Sequence, residues 1–366
     1  MTPRRRVLFV GRTRYARPLA VTHERKFAAL GEVLDLRVLG TAGKGSGELP
    51  RFRLLEGRFF YARAPFAVAQ ELRTFRPDAV IAQSPYEALS VLAGRALARS
   101  HARVIVEVHG DWTTASRYYG SPLRRLAGPF ADRAAELAVR RADAVRTVSE
   151  FTAGMARRLG VEPTAIFHTY TEIGAFVEHD PVPPPEQPRL AFVGVLERYK
   201  NIDGLVAAWR AAAPRLPGVT LELVGSGRRT EVVESLVRDL PEQTVWHPRL
   251  DPTEVAALLD RTSALLLPSF SEGLPRVAIE SLARGRPVIG STGGGIPDAV
   301  HDEENGLLVP VGDDRALADA IVRFCTDGAL RERLTAGARP SAEGLLTPPE
   351  EYARRVADLV ESAVQG

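Results

Sequence analysis

The chain has a single cysteine, Cys325, in 366 residues, and only three lysines, Lys26, Lys44 and Lys200, among 48 basic residues. One cysteine excludes an internal disulfide and points to a reducing compartment. Nowhere does the sequence approach the ~18 consecutive apolar residues that a spanning helix requires. The start, MTPRRRVLFVGRTRY, has too short an apolar run for a signal segment. The expectation is a cytoplasmic protein, at most peripheral at the inner membrane face. Two glycine-rich stretches fall short of nucleotide motifs. GTAGKGSGEL does not satisfy G-x-x-x-x-G-K-[ST], because Lys44 is followed by Gly45, and it reads as a flexible loop. GSGRRT, from Gly225, lacks the third glycine of a dinucleotide fingerprint. D-x-D is absent, and His301-Asp302-Glu303-Glu304 reads as a polar turn, because adjacent residues rarely converge on one ion. No metal, cofactor or nucleic acid is expected.

What is present is the make-up of a soluble globular protein, 45% hydrophobic and 25% charged. The length gives room for two domains, each with its own core. The net charge of +3 conceals an imbalance: residues 1–180 carry 28 Lys+Arg and 18 Asp+Glu, net +10, and residues 181–366 carry 20 and 27, net −7. A basic half suits an acidic, lipid-linked or membrane-associated partner. An Arg-rich solvated surface gives the same count.

The stretch LLLPSFSEGLPRVAIESLARGRPVIGSTGGGIPDAV, 265–300, carries the most chemistry. Three leucines stopped by Pro268 read as the end of a buried parallel strand. A helix follows from Pro275, ended by Gly285 and Pro287, and a second strand at 287–290 runs into Gly293, Gly294 and Gly295. In such a βαβ unit the first loop lies at a strand's carboxyl end, where open α/β sheets bind ligands. Glu272 in the loop and Glu280 in the helix can each accept two hydrogen bonds from a vicinal diol, and a helix amino end beside Gly273 suits a diphosphate. Two glutamates at this spacing also arise as a solvated loop acid and a helix-face acid.

E-G-L-P-R-V-A-I-E, with seven residues between the acids, resembles the E-x7-E signature of retaining GT-B glycosyltransferases, family 4 type. The resemblance implies that Glu280 binds the nucleotide ribose, that Glu272 contacts the donor sugar, and that Gly273, Leu274, Pro275 and Arg276 form the diphosphate loop. It extends to VEVHGD, where His109 follows a strand and is implied to sit at the donor's reacting carbon; a lone histidine is otherwise usually structural. It also covers 194–200, where the family has a GR…K pattern for the diphosphate. Lys200 fills the lysine position, Val195 departs from the arginine, and Arg198 is the candidate replacement, though both cations suit a plain solvated loop. Residues 245–250 resemble the base-binding turn, which makes Arg249 and Leu250 donor-side candidates. GRTRYARP, read as the turn after the first strand, makes Gly11 and Arg12 acceptor-side candidates.

Along the chain, strands are expected at 5–10, 33–39, 78–82, 103–108, 142–150 and 164–168, with helices at 20–30 and 87–99. A basic helical stretch at 123–141 looks interrupted by Gly128 and Pro129. Five prolines within 177–189 mark a linker and hinge. The expected fold is α/β of GT-B type: two facing Rossmann-like domains with parallel sheets and an interdomain cleft. Residues 1–178 form the acceptor-side domain and 188–348 the nucleotide-sugar domain, and in this family the last helix, 349–366, packs back onto the first. The implied reaction is metal-independent transfer from a UDP- or GDP-sugar to a hydroxyl, with retention. The rivals are a GT-B epimerase or phosphorylase, and a non-catalytic nucleotide-sugar-binding protein, which Val195 makes conceivable.

Overall fold

The structure is a computed structural model describing residues 4–45, 47–113 and 122–366. It divides into one unit of residues 1–172 with 347–366, and a second unit of residues 173–346.

The first unit alternates strands and helices: β1 Arg6–Arg17, α1 Val21–Val33, β2 Asp35–Gly45, β3 Phe52–Leu55, α2 Phe60–Thr74, β4 Ala79–Ala82, α3 Pro85–Ala98, β5 Arg103–Val108, α4 Pro122–Arg140, β6 Ala144–Thr147, α5 Glu150–Arg158 and β7 Ala165–Ile166. The strands make one parallel sheet in the order β3-β2-β1-β4-β5-β6-β7. Apolar side chains cover both of its faces, as continuous runs such as Val7-Leu8-Phe9-Val10 require. Ser84 starts α3 by accepting from the amides of Tyr86 and Glu87, and Ser149 starts α5 through a reciprocal cap with Thr152.

The first unit departs from sequence expectation in its long β1–β2 pair. GRTRYARP is not a turn. β1 continues through Gly11 and Arg12, and after a register shift it pairs Arg14 with Thr41, Tyr15 with Ala42 and Arg17 with Gly45. The reason is Tyr15, which is buried among His23, Phe27 and Phe52 and so keeps the strand in the sheet. Likewise Gly40–Gly45 is the end of β2 and not a flexible loop; Ser46 lies outside the described residues. Close approach explains its glycines, since a Cβ at Gly43 would stand 2.7 Å from the Tyr15 carbonyl oxygen. α4 runs on through Gly128 and Pro129 as one helix, while the side chains of Arg124 and Arg125 lie outside the described residues.

The second unit contains α6 Gly174–Val177, β8 Arg189–Val193, α7 Ile202–Ala212, β9 Thr220–Val224, α8 Thr230–Asp239, β10 Thr244–His247, α9 Pro252–Asp260, β11 Ala264–Leu267, α10 Arg276–Ala283, β12 Val288–Ser291, β13 Gly306–Val309, α11 Asp314–Thr326 and α12 Gly328–Glu343. Its parallel sheet has the order β10-β9-β8-β11-β12-β13, again covered on both faces. The last helix, α13 Pro349–Gln365, belongs to the first unit. It buries Tyr352, Val356, Leu359 and Val360, a helical stripe, in the cluster that holds Val7, Phe9 and Ile105.

The proline-rich stretch is not a free linker. Residues 173–187 belong to the second unit, because Phe176 is buried there and two arginines tie down the chain that follows. Arg284 donates to the carbonyls of His179 (2.7 Å) and Asp180 (3.2 Å), and Arg286 to that of Val182 (2.6 Å). Arg286 is fully buried, and its other donors reach the carbonyls of Leu259 and Asp260. A buried guanidinium needs each of these acceptors. The first unit therefore ends at residue 172 and not 178, and the segment expected to hinge is strapped down.

Candidate active site

In the second unit the strand order reverses between β8 and β11, and a crevice opens outside the carboxyl ends of strands at such a point. The loops after both strands are fastened together. Leading out of β8, Gly194 and Leu196 donate to the carbonyls of Val224 and Ser226, so the glycine-rich turn after β9 serves as a backbone platform. At Gly225, φ is +136° and a Cβ would lie 1.9 Å from the Gly194 carbonyl oxygen, so glycine is required there. A 3-10 turn, Arg198–Lys200, follows, and the Tyr199 carbonyl accepts from the Phe270 amide (2.8 Å) in the loop after β11.

That connection brings Lys200 to Glu272. The Lys200 Nζ donates to Glu272 Oε1 at 2.6 Å, with side chains only 10% and 14% exposed. Glu272 is fixed from the other side by the glycine loop after β12, where Gly295 donates to its carbonyl (2.8 Å). Gly294, at φ +64°, leaves no room for a Cβ, which would stand 2.2 Å from the same oxygen. Ser291 ties the two loops once more by donating to the Ser269 carbonyl (2.5 Å).

α10 begins at Arg276 behind Pro275, which makes no side-chain cap. One turn on, Glu280 is 7% exposed and its Oε1 accepts from Arg276 Nε at 2.5 Å. Burial pushes this carboxyl up, and the Arg276 charge counters that only in part. Arg276, named in sequence for its amide, thus also contributes a guanidinium that covers Glu280. Arg198 is exposed and makes no ion pair among the described residues, and Val195 beside it is 48% exposed. Arg249, exposed, and Leu250, half-buried, follow β10 at the far side of the same sheet edge.

In the first unit His109 follows β5 directly, with its side chain 36% exposed. Its Nε2 stands 3.1 Å from Glu107 Oε2 and its Nδ1 3.2 Å from Thr169 Oγ1. Glu107 is wholly buried and paired with Arg146 at 2.6 Å, also wholly buried. Burial alone would raise the Glu107 carboxyl, but Arg146, the His109 hydrogen bond and Lys26 hold it well below the usual carboxylate range. Gly11 lies at the corresponding strand reversal, between β1 and β4, where a Cβ would collide with the Gln83 side chain at 1.9 Å. Arg12 is exposed, its guanidinium 5.5 Å from the Tyr61 ring centroid.

Sequence reasoning missed Glu107, Arg146 and Thr169. A signal was available: residues 104–108 of β5 and all of β6 are buried, each run interrupted by one charge of opposite sign, and the two residues are register partners.

Residues 177–340 match the family model of glycosyl transferases group 1, and residues 25–168 match the glycosyl transferase 4-like domain. The chain belongs to the GT-B glycosyltransferases of family 4 type. Among similar proteins is a D-inositol 3-phosphate glycosyltransferase of Actinosynnema mirum, 35% identical over 171 residues, covering 44% of this chain and 41% of that protein. A glycogen synthase of Mycobacterium tuberculosis is 33% identical over 152 residues, covering 41% and 37% respectively. Both matches thus span less than half of the relative's length. Among solved structures, sucrose-phosphate synthase from Thermosynechococcus elongatus superposes with a TM-score of 0.76 at 21% identity, covering 98% of this chain and 99% of that one. Anabaena HepE in complex with UDP and glucose gives 0.72 at 16% identity, covering 98% and 100%. At these identities the superpositions speak to fold.

Proposed function

We propose that this glycosyltransferase moves a sugar from a nucleoside-diphosphate sugar to an acceptor hydroxyl, with retention and without a metal. The observation that carries the reading is the Lys200–Glu272 pair at the strand reversal, next to the start of α10 and Glu280. Lys200 and the N–H groups of Gly273, Leu274 and Arg276 supply fixed positive charge and dipoles for the diphosphate. Glu272, now on Lys200, takes sugar hydroxyls when the phosphates share the ammonium. Glu280 takes the ribose hydroxyls when Arg276 swings aside. That HepE has been solved with UDP, and with UDP-glucose, supports a nucleotide-sugar donor.

In the reaction so read, the bond from the anomeric carbon to the diphosphate breaks and its electron pair leaves with the phosphate oxygen. The acceptor oxygen bonds to the same face of the sugar, and its proton passes to the departing phosphate. His109 answers the positive charge that develops on the sugar. Arg249 and Leu250 take the base, Arg198 stands in for the arginine absent at Val195, and Gly11 and Arg12 lie on the acceptor side. The basic first half, net +10 by sequence, together with Phe66 and Phe130 exposed at 68% and 78%, favours an acidic or lipid-carried acceptor. Among the described residues no helix is long and apolar enough to cross a membrane.

A thermal-shift screen with UDP, GDP, ADP and their sugars, followed by transfer to an acceptor panel in EDTA, tests this reading. Selective stabilisation by one nucleotide family and chelator-resistant transfer are expected. Conversion of the donor without acceptor or nucleotide release would mark an epimerase. Binding with no turnover across the panel would mark a non-catalytic binder.

A further inference from the structure

His109 is one corner of a closed ring. Arg146 Nη1 donates to Glu107 Oε1 (2.6 Å), and the other oxygen of that carboxylate faces His109 Nε2 (3.1 Å). His109 Nδ1 faces the Thr169 hydroxyl (3.2 Å), and that oxygen accepts from Arg146 Nη2 (3.1 Å). Arg146 therefore touches both groups that touch the imidazole. Its remaining contacts hold it still: Nη2 also donates to the Phe167 carbonyl (2.8 Å), and the guanidinium lies 4.1 Å from the Phe167 ring centroid and 5.4 Å from that of Tyr352 on α13. Lys26, on α1 and also buried, approaches the same Tyr352 ring at 5.2 Å.

The donors and acceptors fit one arrangement. An ionised carboxylate only accepts, so the proton between Glu107 and His109 belongs to Nε2. A Thr169 oxygen that already accepts from Arg146 keeps its own hydrogen free for Nδ1. Round the ring each donor meets an acceptor, while Arg146 Nε, outside it, meets none, and a proton on Nδ1 in place of Nε2 would set two lone pairs against each other at Glu107.

We propose that Glu107 and Arg146 are positioning residues for glycosyl transfer, closing with Thr169 a hydrogen-bond ring that fixes His109 as the Nε2–H tautomer. Both ring nitrogens are then committed to the protein, which holds the half-exposed imidazole in one orientation. A fixed orientation matters for the function proposed above, on which this step rests, because a ring held in place meets the positive charge developing on the sugar without reorganising. Arg146 holds the Glu107 carboxylate in the position from which it meets the ring.

The test is 15N-histidine NMR on the full chain, with His109→Asn used to locate the signal. The wild type should show Nε2 protonated and Nδ1 bare. In Glu107→Gln the amide oxygen is claimed by Arg146, so the amide nitrogen donates to Nε2 and the proton moves to Nδ1. That change should lower kcat ~100-fold, in the range that well-placed proton-handling groups are worth, with the donor KM within about twofold of wild type, since Lys200 and Glu280 are untouched. Should that variant fail to fold, Glu107→Leu with Arg146→Leu removes both charges together and is expected to give mixed tautomers and the same split. A wild-type Nδ1–H signal, or an Nε2–H signal unchanged in either variant, overturns the ring. A shifted tautomer with unchanged kcat overturns its part in transfer. If the wild type transferred nothing from any nucleotide sugar, the proposed function would fall while the spectrum still decided the tautomer.

Discussion

Each unit carries an acid–base pair beside a candidate site residue, and the two pairs are built in opposite ways. Lys200–Glu272 joins two loops beyond the sheet edge, with 10% and 14% of the side chains still exposed. Arg146–Glu107 joins two neighbouring strands within the sheet, at 0% and 1%. A pair in loops can exchange its partner for a ligand, whereas a pair locked between strands can only hold something else in place. The first should therefore be read out mainly in turnover and the second in stability as well as turnover.

The largest expected effect follows directly. Glu107→Leu leaves the Arg146 charge buried without its counter-ion and should cost about 3–5 kcal/mol in urea unfolding. Adding Arg146→Leu should recover most of that loss, because removing both charges avoids the stranded one. Lys200→Met should cost only about 1–2 kcal/mol, since Glu272 keeps a path to water, while lowering turnover ~100-fold or more through the lost phosphate contact. Equal stability losses in Glu107→Leu and Lys200→Met would erase the contrast between the units.

Next is Glu280, whose carboxyl is raised by burial and covered by Arg276. Glu280→Ala should weaken nucleotide binding by about 1–3 kcal/mol in titration calorimetry. Arg276→Ala uncovers the same carboxylate and should weaken binding less, or strengthen it. Unchanged affinity in Glu280→Ala would remove the ribose assignment and leave the second unit's site to Lys200 and Glu272.

The two pairs also differ in how far the sequence revealed them. Pro268, Gly285, Pro287 and the glycine run after β12 bracket the loop and helix that carry Glu272 and Glu280, so local rules placed both acids close to where they stand. Strand and helix order was legible for the same reason: the apolar runs are short and punctuated. Lys200 could be named but not its partner, since a contact across 72 residues rests on the Phe270–Tyr199 backbone bond, which has no side-chain signature. Glu107 and Arg146 were hidden because a buried strand is recognised by its apolar neighbours, and a single charge reads as noise until register pairs it with its opposite. The long β1–β2 extension failed for a related reason. Glycine and arginine in GRTRYARP and GTAGKG signal turns locally, whereas the buried Tyr15 ring that keeps both segments in the sheet acts through Phe27 and Phe52, far along the chain.

The smallest expected effect asks whether burial, and not the unit, sets the contrast. Arg5, just before β1, grips Glu361 of α13 with two hydrogen bonds, at 2.8 and 2.9 Å, but both side chains are about 40% exposed (38% and 40%). The hydrogen bond from Arg5, then that from Gln365, lowers the Glu361 carboxyl from 4.5 to about 2. A carboxyl depressed on folding adds stability above its unfolded value and loses it as pH falls through the folded one. The wild type and Glu361→Gln should thus differ slightly at pH 5–7 in urea midpoint and converge as pH drops from about 4.5 toward about 2. Because the pair faces water, the difference should fade at ~1 M salt, where the Debye length is ~3 Å. The Glu107 contribution, in the same unit but shielded, should withstand that salt and persist to lower pH. If Glu361→Gln kept its full difference at high salt, exposure would not be what separates the weak pair from the strong one, and the distinction between loop and strand pairs would need another cause.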